Sequence, residues 1–286
     1  MTPPPGARYV ASVVIPAHNE ERTIGRLLSA LTGGEVPLEI VVVCNGCTDR
    51  TADVARGHPV IVRELTEPSK QAALREGDAV AQTFPRVYLD ADVELSASGI
   101  LSLTDALGGG CLAAGPRRLV PRAGAPRSVR WYYDVWEALP SVRTSLFGRG
   151  AIAMSEEGVR RVSALPRAMS DDLAFSEAFA PDERVVVEEA VVVVHPPRTW
   201  ADLIRRRTRI ATGNHQADTL DLRGSSARTG LPVLLGVVRR DPRLAGKLLV
   251  FVLVGVLAQR RARRAARAGD FTTWARDESS RAHVVG

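Results

Sequence analysis

Cysteine is scarce. Three in 286 residues cannot all pair within one chain, so no disulfide framework is expected. Cys44 and Cys47 form a C-x-x-C with no second pair after it, and Cys111 stands alone. This spacing reads as two small residues in a loop after a strand rather than a redox pair or half a zinc site. Aromatics are few as well, 5% of residues, and none interleave the arginine-rich stretches. That argues against a nucleic-acid binder, which needs stacking platforms. No G-x-G-x-x-G follows the first strand signal, which argues against a nicotinamide enzyme. Gly108-Gly109-Gly110 lacks the Lys-Ser/Thr that would make it a P-loop and reads as a helix terminator. The opening residues Met1–Gly6 lack a basic start followed by an apolar run, so no secretory signal is expected and the expected location is cytoplasmic.

What is present fits a folded domain. Hydrophobic residues make up 45% and charged residues 24%, and the net charge of +6 favours an acidic partner such as nucleotide phosphate or an anionic membrane. The first part of the chain alternates β-branched runs with helical stretches. Ser12–Ile15, Glu39–Val43 and Arg86–Leu89 read as strands; Thr23–Leu31, Asp49–Arg56 and Ser69–Gln82 read as helices, with Thr23, Thr48 and Ser69 as caps. Alternation of this length implies an α/β fold, a mostly parallel sheet flanked by helices. Ligands bind such sheets at the carboxyl ends of the strands, so Pro16–Glu20, Cys44–Asp49 and Asp90–Glu94 are the segments to watch.

The second part is less regular. Trp131–Leu139, Ser170–Ala180 and the basic stretch Thr199–Gln216 read as helices, Val185–Val194 as one or two strands with Glu188-Glu189 at a turn or edge, and Pro121–Pro126 as a loop. Composition shifts to Gly-, Arg- and aliphatic-rich segments near Asp221.

Tyr88-Leu89-Asp90-Ala91-Asp92 is the sharpest chemical feature. Along an extended segment Asp90 and Asp92 project to one side, giving two hard carboxylates at a strand exit. Such a pair suits Mg²⁺ or Mn²⁺, which would bridge a leaving pyrophosphate.

Together with Val13-Val14-Ile15-Pro16-Ala17-His18-Asn19-Glu20, Val41-Val42-Val43-Cys44-Asn45-Gly46-Cys47-Thr48-Asp49, Lys70-Gln71-Ala72-Ala73-Leu74 and Ser170-Asp171-Asp172-Leu173, this motif resembles the family-2 glycosyltransferases, taken in the family's order from about residue 10 to residue 216. The resemblance implies the GT-A fold. It also implies an inverting enzyme that takes one sugar from a nucleotide-diphosphate sugar to a hydroxyl acceptor, including lipid-linked ones. On this basis residues 1–220 form the catalytic domain, with a nucleotide-sugar half at about 10–115 and an acceptor half at about 116–220. Residues 221–286 form a helical extension.

The resemblance assigns roles to matching positions. Pro16, His18, Glu20 and Asn45 would cradle the nucleoside, and Lys70 would meet a phosphate or a base carbonyl. Asp92 would ligate the metal directly, with Asp90 touching it or the ribose and His195 completing the site. Asp172 maps to the general base and Asp171 to the lesser candidate, a helix cap. Where family members often carry an acid to contact the base, this chain has Cys44 and Asn45. An amide matches uracil or thymine better than guanine, so a UDP or dTDP sugar is expected. Arg205-Arg206-Arg207-Thr208-Arg209-Ile210 retains only the arginine, Arg209, of the Q-x-x-R-W signature of processive members. Single-sugar transfer is therefore expected, with Arg209 on the pyrophosphate. Phe147-Gly148-Arg149-Gly150 resembles the loop lining the acceptor side.

In the extension, Leu231–Val238 and Leu248–Ala258 are apolar runs, each followed by arginines. The second is shorter than the roughly 20 residues that span a bilayer. Two readings stand: a peripheral element on the anionic inner face of the plasma membrane, or a helix packed on the catalytic domain. Rival functions are a catalytically silent nucleotide-sugar binder and a sugar-1-phosphate nucleotidyltransferase. The latter would want a glycine-rich basic loop where Pro16–Glu20 stands.

Overall fold

The computed structural model of the chain describes residues 9–165, 175–219 and 230–267. It divides into two compact units, one from Met1–Leu119, Gly148–Leu165 and Ala178–Val194, the other from Val120–Phe147, Pro166–Glu177 and His195–Gly286. The composition boundary expected near Asp221 lies outside the described residues.

The first unit holds a seven-stranded sheet in the order β3-β2-β1-β4-β6-β5-β7. Strands β1 (Ala11–Ala17), β2 (Leu38–Asn45), β3 (Ile61–Leu65) and β4 (Arg86–Leu89) run parallel. Strand β6 (Ala151–Met154) is antiparallel to β4 and to β5 (Ala113–Leu119), and β5 pairs in parallel with β7 (Arg184–Val193). The expected α/β architecture is present. Strands β1 and β2 sit inside the sheet with both faces covered, which is why they read as near-continuous apolar runs.

Alternation assigns the faces. Val13, Ile15 and Ala17 of β1 pack with Ile24, Leu27, Leu28 and Leu31, one stripe of α1 (Ile24–Thr32), and with α2 (Thr51–Arg56) and α4 (Ala97–Asp105). Val14 points the other way, against α3 (Lys70–Val80). Helix α7 (Glu156–Ser163) follows β6.

The caps differ from expectation. Ser69 caps α3, its hydroxyl accepting from Ala72 N–H. Thr23 instead sits in the α region and its hydroxyl donates to the Glu20 carboxylate. Thr48 caps nothing; Asp49 accepts from Thr51 N–H at the start of α2. Val185–Val194 becomes one strand, β7. Its register on β5 slips between Pro116 and Arg117, with exposed Glu188 and Glu189 in the slipped stretch.

The second unit is helical among its described residues. Helix α5 (Arg127–Ala138) buries Val129, Tyr132, Tyr133, Val135 and Trp136, and α6 (Pro140–Thr144) follows it. Helices α8 (Trp200–Thr219), α9 (Leu231–Arg240) and α10 (Ala245–Arg267) contribute Leu203, Ile204, Leu234, Val237 and Val254 to the same core. The α10 helix thus does pack on neighbouring helices along one side.

Candidate active site

Strands β1, β2 and β4 end side by side, at Ala17, Asn45 and Leu89. The segments that follow form one rim, and hydrogen bonds knit the first two into a single piece. His18 Nδ1 donates to the Asn45 carbonyl at 2.5 Å, which fixes that nitrogen as the protonated one. Asn19 adopts φ 54°, a conformation asparagine tolerates, and its Oδ1 accepts from Thr48 N–H at 2.8 Å. Glu20 N–H donates to Thr51 Oγ1 at 2.7 Å, and Glu21 N–H to Asp49 Oδ2 at 3.2 Å. Gly46 turns the second segment at φ 59°; a Cβ there would lie 2.7 Å from Pro68 N, so only glycine fits.

These bonds refine the expected roles. Glu20 is buried and anchors the start of α1 through Thr23. Asn45 is 4% exposed, and its Nδ2 donates to the Ala17 carbonyl at 2.8 Å. One of its two amide protons therefore ties β2 to β1. Pro16 pairs with Val43 within the sheet.

The Asp-Ala-Asp segment is not extended. Strand β4 stops at Leu89, and Asp90–Val93 form a turn closed by Val93 N–H on the Asp90 carbonyl. Ala91 and Val93 are buried in the core while Asp92 and Glu94 are exposed and Asp90 is half-buried. Burial of the two apolar side chains, rather than strand alternation, leaves both aspartates outside the core. Lys70, in the first turn of α3, places Nζ 2.7 Å from Asp90 Oδ1. The lysine expected to meet donor phosphate thus also clamps the first aspartate.

Gly150 supports this turn from behind. Its carbonyl accepts from Asp90 N–H at 2.8 Å, and it adopts φ 70°. A Cβ on it would fall 2.3 Å from Val93 Cγ1. The neighbouring Arg149 is buried and donates to the Pro116 carbonyl at 2.7 Å; burial, with Arg118 nearby, lowers its guanidinium to about 9. Gly150, in the loop expected to line the acceptor side, thus also contacts the aspartate turn. Left-handed backbone and overpacking together cost about 2–4 kcal/mol. Gly150→Ala is accordingly expected to destabilise the protein by that amount in urea melts. A change within about 0.5 kcal/mol would contradict the contact.

Cys44 is buried at the end of β2 and Cys47 is half-buried in the loop after it. Their mutual hydrogen bond lowers the Cys47 thiol to about 6 and raises Cys44. Asn19 N–H adds to the effect on Cys47, at 3.4 Å from its sulfur.

The remaining expected residues lie elsewhere in the chain. His195 and Arg209 belong to the second unit; the His195 carbonyl accepts from Arg206 Nη1 at 3.0 Å, and Arg209 is half-buried on α8. Asp171 and Asp172 lie outside the described residues. Among the described residues no group of three or more His, Cys, Asp or Glu side chains is placed to hold a metal ion. A divalent cation at Asp90 and Asp92 would rely on two protein carboxylates plus substrate phosphate and water. That donor set suits Mg²⁺ or Mn²⁺, which keep waters and share phosphate oxygens.

Known proteins agree with this architecture. Residues 12–143 match the family model for glycosyl transferase family 2. A 4,4'-diaponeurosporenoate glycosyltransferase of Staphylococcus aureus is 35% identical over 88 residues, 29% of this chain and 24% of the relative, so the match spans about a quarter of that protein's length. A mannosyltransferase from Pyrobaculum calidifontis, solved with GDP-Man and Mn²⁺, superposes with TM-score 0.61 at 20% identity, covering 94% of this chain and 78% of that one. Glucosyl-3-phosphoglycerate synthase from Mycobacterium tuberculosis, solved with Mn²⁺, UDP and glucosyl-3-phosphoglycerate, gives TM-score 0.55 at 21% identity, covering 75% and 81%. With its sheet order, its rim of strand ends and these matches, the chain has the GT-A fold, and over residues 12–143 it is similar to the family-2 glycosyltransferases.

Proposed function

We propose that the protein is a metal-dependent, inverting glycosyltransferase that moves one sugar from a nucleotide-diphosphate sugar to a lipid-linked hydroxyl acceptor at the inner face of the plasma membrane. The observation that carries the reading is the rim itself: interlocked loops after β1 and β2 beside a turn that presents Asp90 and Asp92, with Lys70 fixed on Asp90. Neighbours of the same fold were solved with GDP-Man or UDP and with Mn²⁺.

In this reading His18, Pro16, Glu20 and Asn45 shape the nucleoside wall, whose hydrogen bonds hold it ready before the donor arrives. Asp92 and Asp90 would hold Mg²⁺ or Mn²⁺, which supplies positive charge for the diphosphate. Lys70 orients Asp90 and adds a cation beside the phosphates. Arg209 offers a two-pronged guanidinium to the same oxygens. Asp172 takes the proton of the acceptor hydroxyl as its oxygen attacks the anomeric carbon. The bond from that carbon to the diphosphate breaks, and the nucleoside diphosphate leaves with the electron pair. Attack from the opposite face inverts the anomeric configuration.

Base preference follows from Asn45. An amide with one N–H already on Ala17 keeps a carbonyl and a second N–H, the pattern that pairs with uracil or thymine N3–H and a ring carbonyl. Calorimetry with UDP, dTDP and GDP is expected to rank GDP weakest. GDP binding tighter than both others overturns the assignment of Asn45 to the base.

A further inference from the structure

The second unit carries an apolar face that its own core leaves uncovered. On α10, Phe251, Val254 and Leu257 turn inward, while Leu249, Val252, Leu253 and Val256 are 75%, 41%, 50% and 39% exposed. Their spacing of three and four residues makes them one row along the helix. The row continues in the same phase through Arg260, Arg263 and Arg264, all exposed. Helix α9 repeats the arrangement in miniature: Leu231 and Leu235 are 74% and 62% exposed, and exposed Arg239 lies on the same side one turn further on. Between Gly230 and Arg267 the sole acidic residue is Asp241.

By length and composition Pro242–Arg264 would also suffice to cross a membrane, and only 17% of its most apolar window is buried. Its docked side decides against crossing. Phe251 stacks on Tyr132 with ring centroids 5.1 Å apart, and Lys247 Nζ lies 2.6 Å from Asp134 Oδ2, so α10 is held along α5. It also packs against α8, which carries Asp202, Arg205, Arg206, Arg207 and Arg209. A helix fixed to such neighbours would draw their charges into hydrocarbon, which is costly.

We propose that the exposed faces of α9 and α10 form a docking surface for an anionic phospholipid bilayer. The leucine and valine rows enter the headgroup and upper acyl region with α10 parallel to the plane, and Arg239, Arg260, Arg263 and Arg264 meet lipid phosphates. Charge complementarity selects this occupant: each apolar row ends in exposed arginines and the segment holds a single acid, Asp241, so the face is basic and an anionic surface neutralises it. The proposal gives the membrane location of the preceding section a defined face. It stands apart from the donor chemistry, because its test uses neither donor nor acceptor.

Vesicle flotation of the full chain tests it, using phosphatidylcholine vesicles with and without phosphatidylglycerol. Binding is expected to the anionic vesicles at low salt and to fall about tenfold or more at high salt. Leu249→Glu/Leu253→Glu should abolish it. The triple variant Arg260→Gln/Arg263→Gln/Arg264→Gln should weaken it by about fivefold per arginine. Thermal unfolding establishes that each variant is folded; if the leucine variant is not, the arginine variant carries the test. Three results overturn the proposal: no binding to anionic vesicles at low salt, binding indifferent to the arginine substitutions, or membrane-bound protein from cells that resists both high-salt and alkaline extraction. Light scattering that shows a dimer dissolved by Leu249→Glu assigns the face to self-association and overturns it as well.

Discussion

Asp92→Asn is expected to lower transfer about a hundredfold or more while the protein stays folded. The carboxylate sits exposed on the Asp90–Val93 turn, whose Ala91 and Val93 are buried in the core. Replacing one oxygen by an amide at an exposed site alters stability by about 1 kcal/mol or less. The same change removes the negative charge that suits a divalent cation, and charge stabilisation of a leaving diphosphate is worth several kcal/mol, about 1.4 per factor of ten. EDTA should abolish activity in the wild type and excess Mn²⁺ should restore it. Turnover unchanged in EDTA, together with full activity of Asp92→Asn, removes the metal from the mechanism.

The second large effect is expected at Asp172. Asp172→Asn should leave nucleotide affinity within about threefold, since one acceptor-side amide makes little difference to donor binding on the RT ln scale. Transfer should fall by about two to four orders of magnitude, the usual span for losing a general base. If Asp171→Asn produces this phenotype and Asp172→Asn does not, the base is the first member of the pair and the second serves the helix start.

What could be read from the sequence, and what could not, divides on burial and distance. Strands β1, β2 and β4 announced themselves because both faces are buried, which forces apolar runs. Strand β3 escaped notice because it is an edge strand whose Arg63 and Glu64 are exposed, so its sequence Ile61–Leu65 has no clear period. In β5, Gly115 and Pro116 look like a break, yet Pro116 is tolerated where the register on β7 slips. The rim residues were located by the rule that ligands meet parallel sheets at strand ends. Their bonding was not legible: Lys70 and Asp90 are 20 positions apart and meet because α3 begins beside the end of β4. Gly150 was invisible as a support for the Asp90 turn for the same reason. Asn45 was legible as a polar residue at the rim, but its inward bond to Ala17 depends on how β1 and β2 pair.

Release of nucleoside diphosphate by the purified chain tests the central claim most directly. Donors with UDP, dTDP and GDP are each incubated with Mn²⁺, with EDTA, and with Asp92→Asn in place of the wild type. The account predicts Mn²⁺-dependent release from at least one donor, fastest with a uracil or thymine base and lost in EDTA and in the variant. Mn²⁺-dependent binding of these donors without any release, even when lipid-linked hydroxyl acceptors are supplied, would contradict it and make the protein a silent nucleotide-sugar binder.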